Sequence, residues 1–346
     1  MSEFVRLDEI RAAHARIAGV AARTPLYRVE RARLRMAKYP EPAFDLYIKA
    51  ESEQPIGSFK LRGAYNMVAQ LSAEARQRGV ITYSSGNHAQ GVAFAARALG
   101  SKAVIVMPNN APAIKQQATA ALGAEIVLVG AASSERKLKA EELAERFGYT
   151  IIPPYDHPHI IAGQATCGLE IVEQLPGVDA VISPVSGGGL LSGIATAVKA
   201  AAEAGIAKAD IKVWGAEPAL AADAKESFET RTLVEWPAAK TTRTIGDGLR
   251  TQSLGALNFE HILRYVDGIM AVSEEEIFAA MRLMLTVTKL VPEPSGAVTI
   301  AAALYHAEEM GLAGVGKVAV VLSGGNIEPA LKDQLMNEIA GEAATI

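Results

Sequence analysis

The 346-residue sequence predicts an α/β protein with helices packed on buried, parallel-type sheets. Three observations predict it. Short β-branched apolar runs alternate with helical patterns, as βαβ units require. Those runs are bounded by Gly, Pro, Asn or Ser, the mark of buried strands. Aromatics are only 5% of a chain rich in alanine and carrying 30 glycines, which suits helices on a sheet and not a β-sandwich.

Strands are expected at 45–49 (DLYIK), 80–83 (VITY), 103–107 (AVIVM), 125–129 (EIVLV), 180–183 (AVIS), 211–216 (IKVWGA) and 317–322 (KVAVVL). Helices are expected at 60–71, 88–99, 112–122, 133–147, 162–174, 190–204, 274–289 and 296–309. Ser273 followed by Glu276 forms a capping box at one helix start. Pro112 sits near another, where a missing N–H is harmless. The stretch of about 80–150 reads as a compact βαβα unit inserted in a larger one. The expected division is a small domain at 77–155 and a large domain made of 1–76 and 156–346. There is no repeat of about 20–50 residues and no low-complexity tract.

Lys plus Arg is 34 and Asp plus Glu 38, a net charge of −4. That excludes the basic imbalance of a nucleic-acid or acidic-membrane binder. With 21% charged and 50% hydrophobic residues, the chain is not disordered. A single cysteine, Cys167, excludes a disulfide framework and a multi-cysteine metal site, and fits a reducing compartment. The N-terminal MSEFVRLDEIRAAHARIAG is charged throughout, unlike a secretory signal. No run reaches about 18 apolar residues, so no spanning helix is expected. The expected location is the cytoplasm.

Five segments carry chemistry. In Gly57-Ser58-Phe59-Lys60, a lysine opens a helix beside a phenylalanine. A dry site would lower its pKa and let it condense with an aldehyde, with Phe59 as apolar flank. Read alone, the segment fits a surface lysine better. Ser84-Ser85-Gly86-Asn87-His88 turns from a strand into a helix whose free N–H groups suit a carboxylate or phosphate. Read alone, it is a βα turn capped by Asn87 with a structural His88.

Ser186-Gly187-Gly188-Gly189-Leu190 follows a strand and precedes a helix. Three glycines let backbone N–H groups converge on one anion with a helix dipole behind them. It is neither a P-loop nor a clean G-x-G-x-x-G. Ser323-Gly324-Gly325-Asn326 follows the strand KVAVVL, where parallel-sheet proteins bind ligands, and Ser323 there suits a ring nitrogen. Glu217 and Asp223 stand six residues apart with backbone carbonyls between, a set that would hold a hard divalent cation with waters. Read alone, they are solvated acids. Asp156-His157-Pro158-His159 lacks further ligands, and neither HExxH nor a Ser-His-Asp set is present.

Together these segments resemble the fold type II (tryptophan synthase β-like) pyridoxal-phosphate enzymes, in particular the threonine/serine dehydratases and serine racemases. GSFKLRGAYN, SSGNHAQGVAFAA, MPNNAPAIKQQATAALGAEIVLVG, PVSGGGLLSGIA, GAEP, TIGDGL, EPSGA and LSGGN carry the resemblance over nearly the whole chain. It implies two open sheets flanked by helices, a homodimer, and a cofactor aldehyde bonded to Lys60. It implies Phe59 against the cofactor ring and Asn87 on the ring hydroxyl. Gly187, Gly188, Gly189 and Leu190 would hold the phosphate, Ser323 would face the ring nitrogen, and Glu293 would line the site.

By the same resemblance Ser84, Ser85, Gly86, Asn87 and His88 would bind the substrate carboxylate. Glu217, the Ala221 carbonyl and Asp223 would bind Mg²⁺ or Ca²⁺. A serine at the ring nitrogen cannot protonate it, so prompt loss of a β-substituent suits the site better than a long-lived carbanion. Lys60 would remove the Cα proton.

Two departures stand out. Ser186 replaces the usual first glycine of the phosphate loop, and would add a hydroxyl to the phosphate or reshape the loop. Ser85 replaces a common alanine, and matches the serine that serves racemase relatives as acid/base opposite the lysine. The chain runs only about 20 residues beyond SGGN, so no isoleucine-sensing domain is expected.

The expected activity is that of a dehydratase acting on a β-hydroxy amino acid, L-threonine or L-serine, to give a 2-oxo acid and ammonia. The alternatives are a serine or aspartate racemase, or a 3-hydroxyaspartate dehydratase with Arg136 near the substrate. A non-catalytic binding module is opposed by Lys60. Cysteine synthase-type β-replacement shares the fold, but GSFKLRGAYN and EPSGA fit the dehydratase branch better.

Overall fold

The structure, a computed structural model, describes residues 4–111, 113–130 and 133–344. Ten strands among them form two sheets: β1 Leu26–Arg28, β2 Asp45–Ala50, β3 Val80–Tyr83, β4 Ala103–Pro108, β5 Glu125–Val129, β6 Thr150–Ile151, β7 Ala180–Pro184, β8 Lys212–Pro218, β9 Gly268–Val272 and β10 Lys317–Leu322. The larger sheet has the order β1-β2-β10-β7-β8-β9, parallel except for β1. The smaller is wholly parallel in the order β5-β4-β3-β6.

Strand periodicity of two explains how the larger sheet is covered on both faces. Val318, Val320 and Leu322 of β10 join Leu46, Ile48 and Ile182 in one core, under helices Glu274–Leu283 and Pro294–Tyr305. Ala319 and Val321 point the other way, joining Val181 and Val213 beneath helices Pro158–Gln174 and Gly189–Glu203. The smaller sheet packs helix Asn87–Ala98 on one face. Its other face carries Ile81, Val104 and Val106 against Ala140 of helix Ser133–Phe147.

Three helices approach closely because glycine permits it. A Cβ on Gly163 would fall 2.6 Å from Gly63 Cα, and one on Gly193 2.6 Å from Ala165 N. Helix Lys60–Ala69 therefore sits tightly on Pro158–Gln174, which sits tightly on Gly189–Glu203.

All seven expected strands are present. β1, β6 and β9 were not expected. The first two are only three and two residues long. β9 opens on a glycine that lies beneath the Trp214 ring, a tertiary reason for glycine that local pattern reads as a loop. The helix expected at 162–174 starts at Pro158, and that at 296–309 runs Pro294–Tyr305. The helix expected at 274–289 stops being α-helical at Leu283 and finishes as a π-turn, Met284–Thr288. Its capping box forms: Glu276 N–H donates to Ser273 Oγ at 3.2 Å and Ser273 N–H to the Glu276 carboxylate at 2.8 Å. Pro112 lies outside the described residues. No helix among those described is long and apolar enough to cross a membrane.

Candidate active site

Parallel sheets leave their ligand crevice beyond the carboxyl ends of the strands. Here β10 ends into Ser323, β7 into Val185–Gly188, and β3 into Ser84–Gly86. These ends meet the start of helix Lys60–Ala69 around one cavity of about 880 Å³. Phe59, Lys60, Ser84, Ser85, Gly86, Asn87, His88, Gly187, Gly188, Gly189, Leu190, Glu293 and Ser323 all line it, as do Ser186 and Arg136.

Lys60 Nζ donates to the Pro154 carbonyl at 2.8 Å and lies 5.2 Å from the Phe59 ring centroid. Burial lowers its pKa to about 8, against an opposing pull from Glu293. The helix start behind it is anchored from within. Arg62 forks onto Glu51 at 2.7 and 2.8 Å and onto Glu170 at 2.7 and 2.8 Å. Lys49 Nζ donates to Glu170 at 2.6 Å and to the Thr24 carbonyl at 2.8 Å. Arg62, Glu51 and Lys49 are wholly buried, so this network has no water to fall back on.

The triple glycine is explained position by position. Gly188 is the N-cap of helix Gly189–Glu203, with φ +96°, and a Cβ there would meet Asn258 Cβ at 2.7 Å. Cβ atoms on Gly187 and Gly189 would meet Tyr155. Asn258 Nδ2 and Gly255 N both donate to the Gly187 carbonyl, at 2.8 and 3.0 Å. The carbonyl is thereby tied back into the protein, and the first-turn N–H groups of the helix are left for an anion. The Ser186 hydroxyl is 2.7 Å from the Thr251 hydroxyl.

The second helix N-terminus is that of Asn87–Ala98, whose N-cap is Gly86. Asn87 is therefore not the cap. It is the first helical residue, and its side chain is free to reach across the cavity. Asn87 Nδ2 donates to the two Glu293 carboxylate oxygens at 2.9 and 3.1 Å, and its Oδ1 accepts from Asn326 Nδ2 at 2.7 Å. Burial raises Glu293 to about 7, with Asn87 opposing. His88 lies 3.0 Å from the Ile152 carbonyl, and burial, with Lys60 nearby, lowers it to about 3. It is a neutral imidazole at ordinary pH.

Ser323 is buried at the end of β10, and its carbonyl accepts the Phe59 N–H at 3.0 Å, which joins the lysine segment to the SGGN segment. Glycine follows because a Cβ on Gly324 would fall 2.4 Å from Glu293 Oε1. Across the cavity, Lys115 of helix Ala113–Ala121 pairs with Asp247 at 2.7 Å and Glu328 at 3.5 Å. Both members of the shorter pair line the cavity.

Glu217, near the end of β8, and Asp223, the first residue of helix Asp223–Thr230, flank the short turn Ala219–Ala221 and do not line this cavity. Lys225 N donates to Glu217 Oε1 at 2.7 Å. Glu217 Oε2 and Asp223 Oδ2 are buried without a hydrogen-bond partner. Burial pushes Glu217 well above the carboxylate range, with Asp223 adding repulsion, and raises Asp223 to about 7. Two orphaned carboxylate oxygens beside a backbone turn fit a hard divalent cation. The sequence reading of them as solvated acids is wrong. Among the described residues no three His, Cys, Asp or Glu gather as a metal cluster, and the tilted rings of His157 and His159 lie 5.0 Å apart.

Sequence reasoning missed Tyr155, Asn258, Asn326 and the Lys115–Asp247 pair as parts of the site. Asn326, Asp247 and Lys115 carried a signal, as members of LSGGN, TIGDGL and MPNNAPAIKQQATAALGAEIVLVG. The others act on partners remote in sequence.

The model of the family described as "Pyridoxal-phosphate dependent enzyme" matches residues 17–324. The chain is 42% identical to L-threo-3-hydroxyaspartate ammonia-lyase of Saccharomyces cerevisiae, over 82% of this chain and 83% of that one. It is 41% identical to L-threonine ammonia-lyase of Thermotoga maritima, over 85% and 70%. The solved structure of maize serine racemase superimposes with a TM-score of 0.87 at 35% identity, covering 99% of this chain and all of that one.

Proposed function

The chain belongs to the family of pyridoxal-phosphate-dependent enzymes, and from that membership we propose that it is an ammonia-lyase converting L-threonine or L-serine to a 2-oxo acid and ammonia. One observation carries the reading: a lysine with its pKa lowered to about 8 shares a cavity with a triple-glycine helix N-terminus. That pairing fits an aldehyde at one end of a ligand and a phosphate at the other. The cofactor, when bound, supplies an electron sink for the bond that breaks at Cα.

The chain's residues do the rest. Lys60 Nζ would hold the aldehyde and, as a free amine, would take the Cα proton. Ser84–His88 at the N-terminus of helix Asn87–Ala98 receive the substrate carboxylate. Phe59 flanks the ring. Asn87, oriented by Asn326 and Glu293, would meet the ring hydroxyl. Gly187, Gly188, Gly189 and the Leu190 N–H hold the phosphate. Ser323 would face the ring nitrogen with a hydroxyl that does not protonate it, which would favour prompt β-elimination over persistent negative charge at Cα. The small body at 77–155 and the large body at 1–76 and 156–346 close the cavity between them, and the partners are an amino acid and a second copy of the chain.

A panel of hydroxyamino acids, with keto acid and enantiomer both followed, tests this. Keto acid is expected from L-threonine or L-serine, and its absence from every substrate would refute the proposal. Two further readings have an observation each. Ser85 lines the cavity, as a racemase would need, and Ser85→Ala should abolish any enantiomer formed while sparing keto acid. Arg136 lines the same cavity and offers a cation to a second carboxylate. Arg136→Ala should then depress turnover of 3-hydroxyaspartate and leave threonine turnover nearly unchanged.

Glu217, the Ala221 carbonyl and Asp223 are proposed to hold Mg²⁺ or Ca²⁺, which would relieve the repulsion between two buried carboxylates. A chelator should lower the melting temperature and added Mg²⁺ restore it. Glu217→Gln should remove that response.

A further inference from the structure

The connector from β6 into helix Pro158–Gln174 fastens two distant parts of the cavity. The Pro154 carbonyl accepts a hydrogen bond from Lys60 Nζ at 2.8 Å. The Asp156 carboxylate accepts one from Asn258 N at 3.2 Å, and Asn258 in turn bonds the Gly187 carbonyl. Tyr155 stands between them and lines the cavity. A Cβ on Gly187 would fall 2.4 Å from Tyr155 Cδ1 and Cε1, and one on Gly189 3.0 Å from Tyr155 Cβ. The Tyr155 ring therefore accounts for Gly187, and the Tyr155 Cβ and backbone for Gly189.

A ligand bound covalently at one end and as an anion at the other tolerates only one distance between its two anchors. Holding that distance before binding is preorganisation. The Pro154–Asp156 strap is the element that touches both anchors. We propose that Tyr155 is a positioning residue whose ring is the wall against which the Ser186–Leu190 loop is shaped, setting the loop's distance from Lys60. This rests on the reading of that loop as the phosphate site.

The test is equilibrium titration of cofactor-free protein with pyridoxal phosphate, following the visible absorbance of the lysine-bound cofactor. Pyridoxal, which lacks the phosphate, is titrated in parallel. Tyr155→Phe keeps the ring and should bind within about twofold of the parent. Tyr155→Ala should weaken pyridoxal phosphate about tenfold or more while leaving pyridoxal nearly unchanged. Gly187→Ala should weaken pyridoxal phosphate about tenfold or more through the clash with the ring. In the Tyr155→Ala background the same glycine change should cost little, because the clash is gone.

Additive losses, or equal weakening of pyridoxal and pyridoxal phosphate, would overturn the proposal. So would parental affinity in Tyr155→Ala. If that variant does not fold, Tyr155→Leu carries the same cycle. A parent protein that fails to bind pyridoxal phosphate at all would refute the cofactor reading instead, which is a different result.

Discussion

Lys60 shows how far one residue's chemistry depends on its surroundings. A lysine in water is a cation at neutral pH and neither attacks an aldehyde nor accepts a proton. Burial lowers this one to about 8, so a useful fraction is neutral. The neutral amine is the nucleophile, so cofactor attachment to cofactor-free protein should quicken as pH rises and level off above about 8. Glu293 pulls the pKa up, so Glu293→Gln should move that midpoint lower. Borohydride trapping of the attached cofactor across pH measures both. A midpoint near that of free lysine would refute the desolvation account. Lys60, Asn87 and Ser323 were legible because each sits in a short contiguous motif. Tyr155 was not, because its partners are glycines on the far side of a helix.

At the scale of elements, the helix Lys60–Ala69 is held by charge as much as by packing. Arg62 satisfies Glu51 and Glu170 together, and Glu170 stays well below its usual range because, against burial, His14, Arg62 and Lys49 attract it. Removing the guanidinium takes away the ion-pair partner of the buried Glu51 and leaves Glu170 with Lys49 and His14. Arg62→Leu should therefore destabilise the fold by about 3–5 kcal/mol, measured by denaturant unfolding. Cofactor affinity should fall with it, since the helix start carries Lys60. The helix itself was readable from its apolar spacing. The ion network was not, because its members come from segments that periodicity treats as unrelated. The same holds for β9, whose opening glycine makes sense only under Trp214.

At the scale of the molecule, the cavity lies between bodies built on two sheets, and Lys115 with Asp247 spans it. Burial pulls the lysine's pKa down, but Asp247 and Glu328 together more than offset this and raise it above the ordinary lysine value. We expect the pair to act as a latch over the substrate. Asp247→Asn or Lys115→Met should raise KM by about fivefold or more with a smaller change in kcat. The reversed pair, Lys115→Asp with Asp247→Lys, should recover part of the loss. Steady-state kinetics at low and high salt would check this, and a salt-independent KM in the parent would count against the latch.

By itself the sequence determined the class of fold, seven of the ten described strands, and the motifs that line the cavity, because periodicity and short glycine-rich turns act over a few residues. Only the tertiary structure decided which glycines face which side chains and which carboxylates are left without partners. It alone decided how low the lysine's pKa falls. Those outcomes depend on burial and on distances between segments far apart along the chain, and no local pattern encodes either.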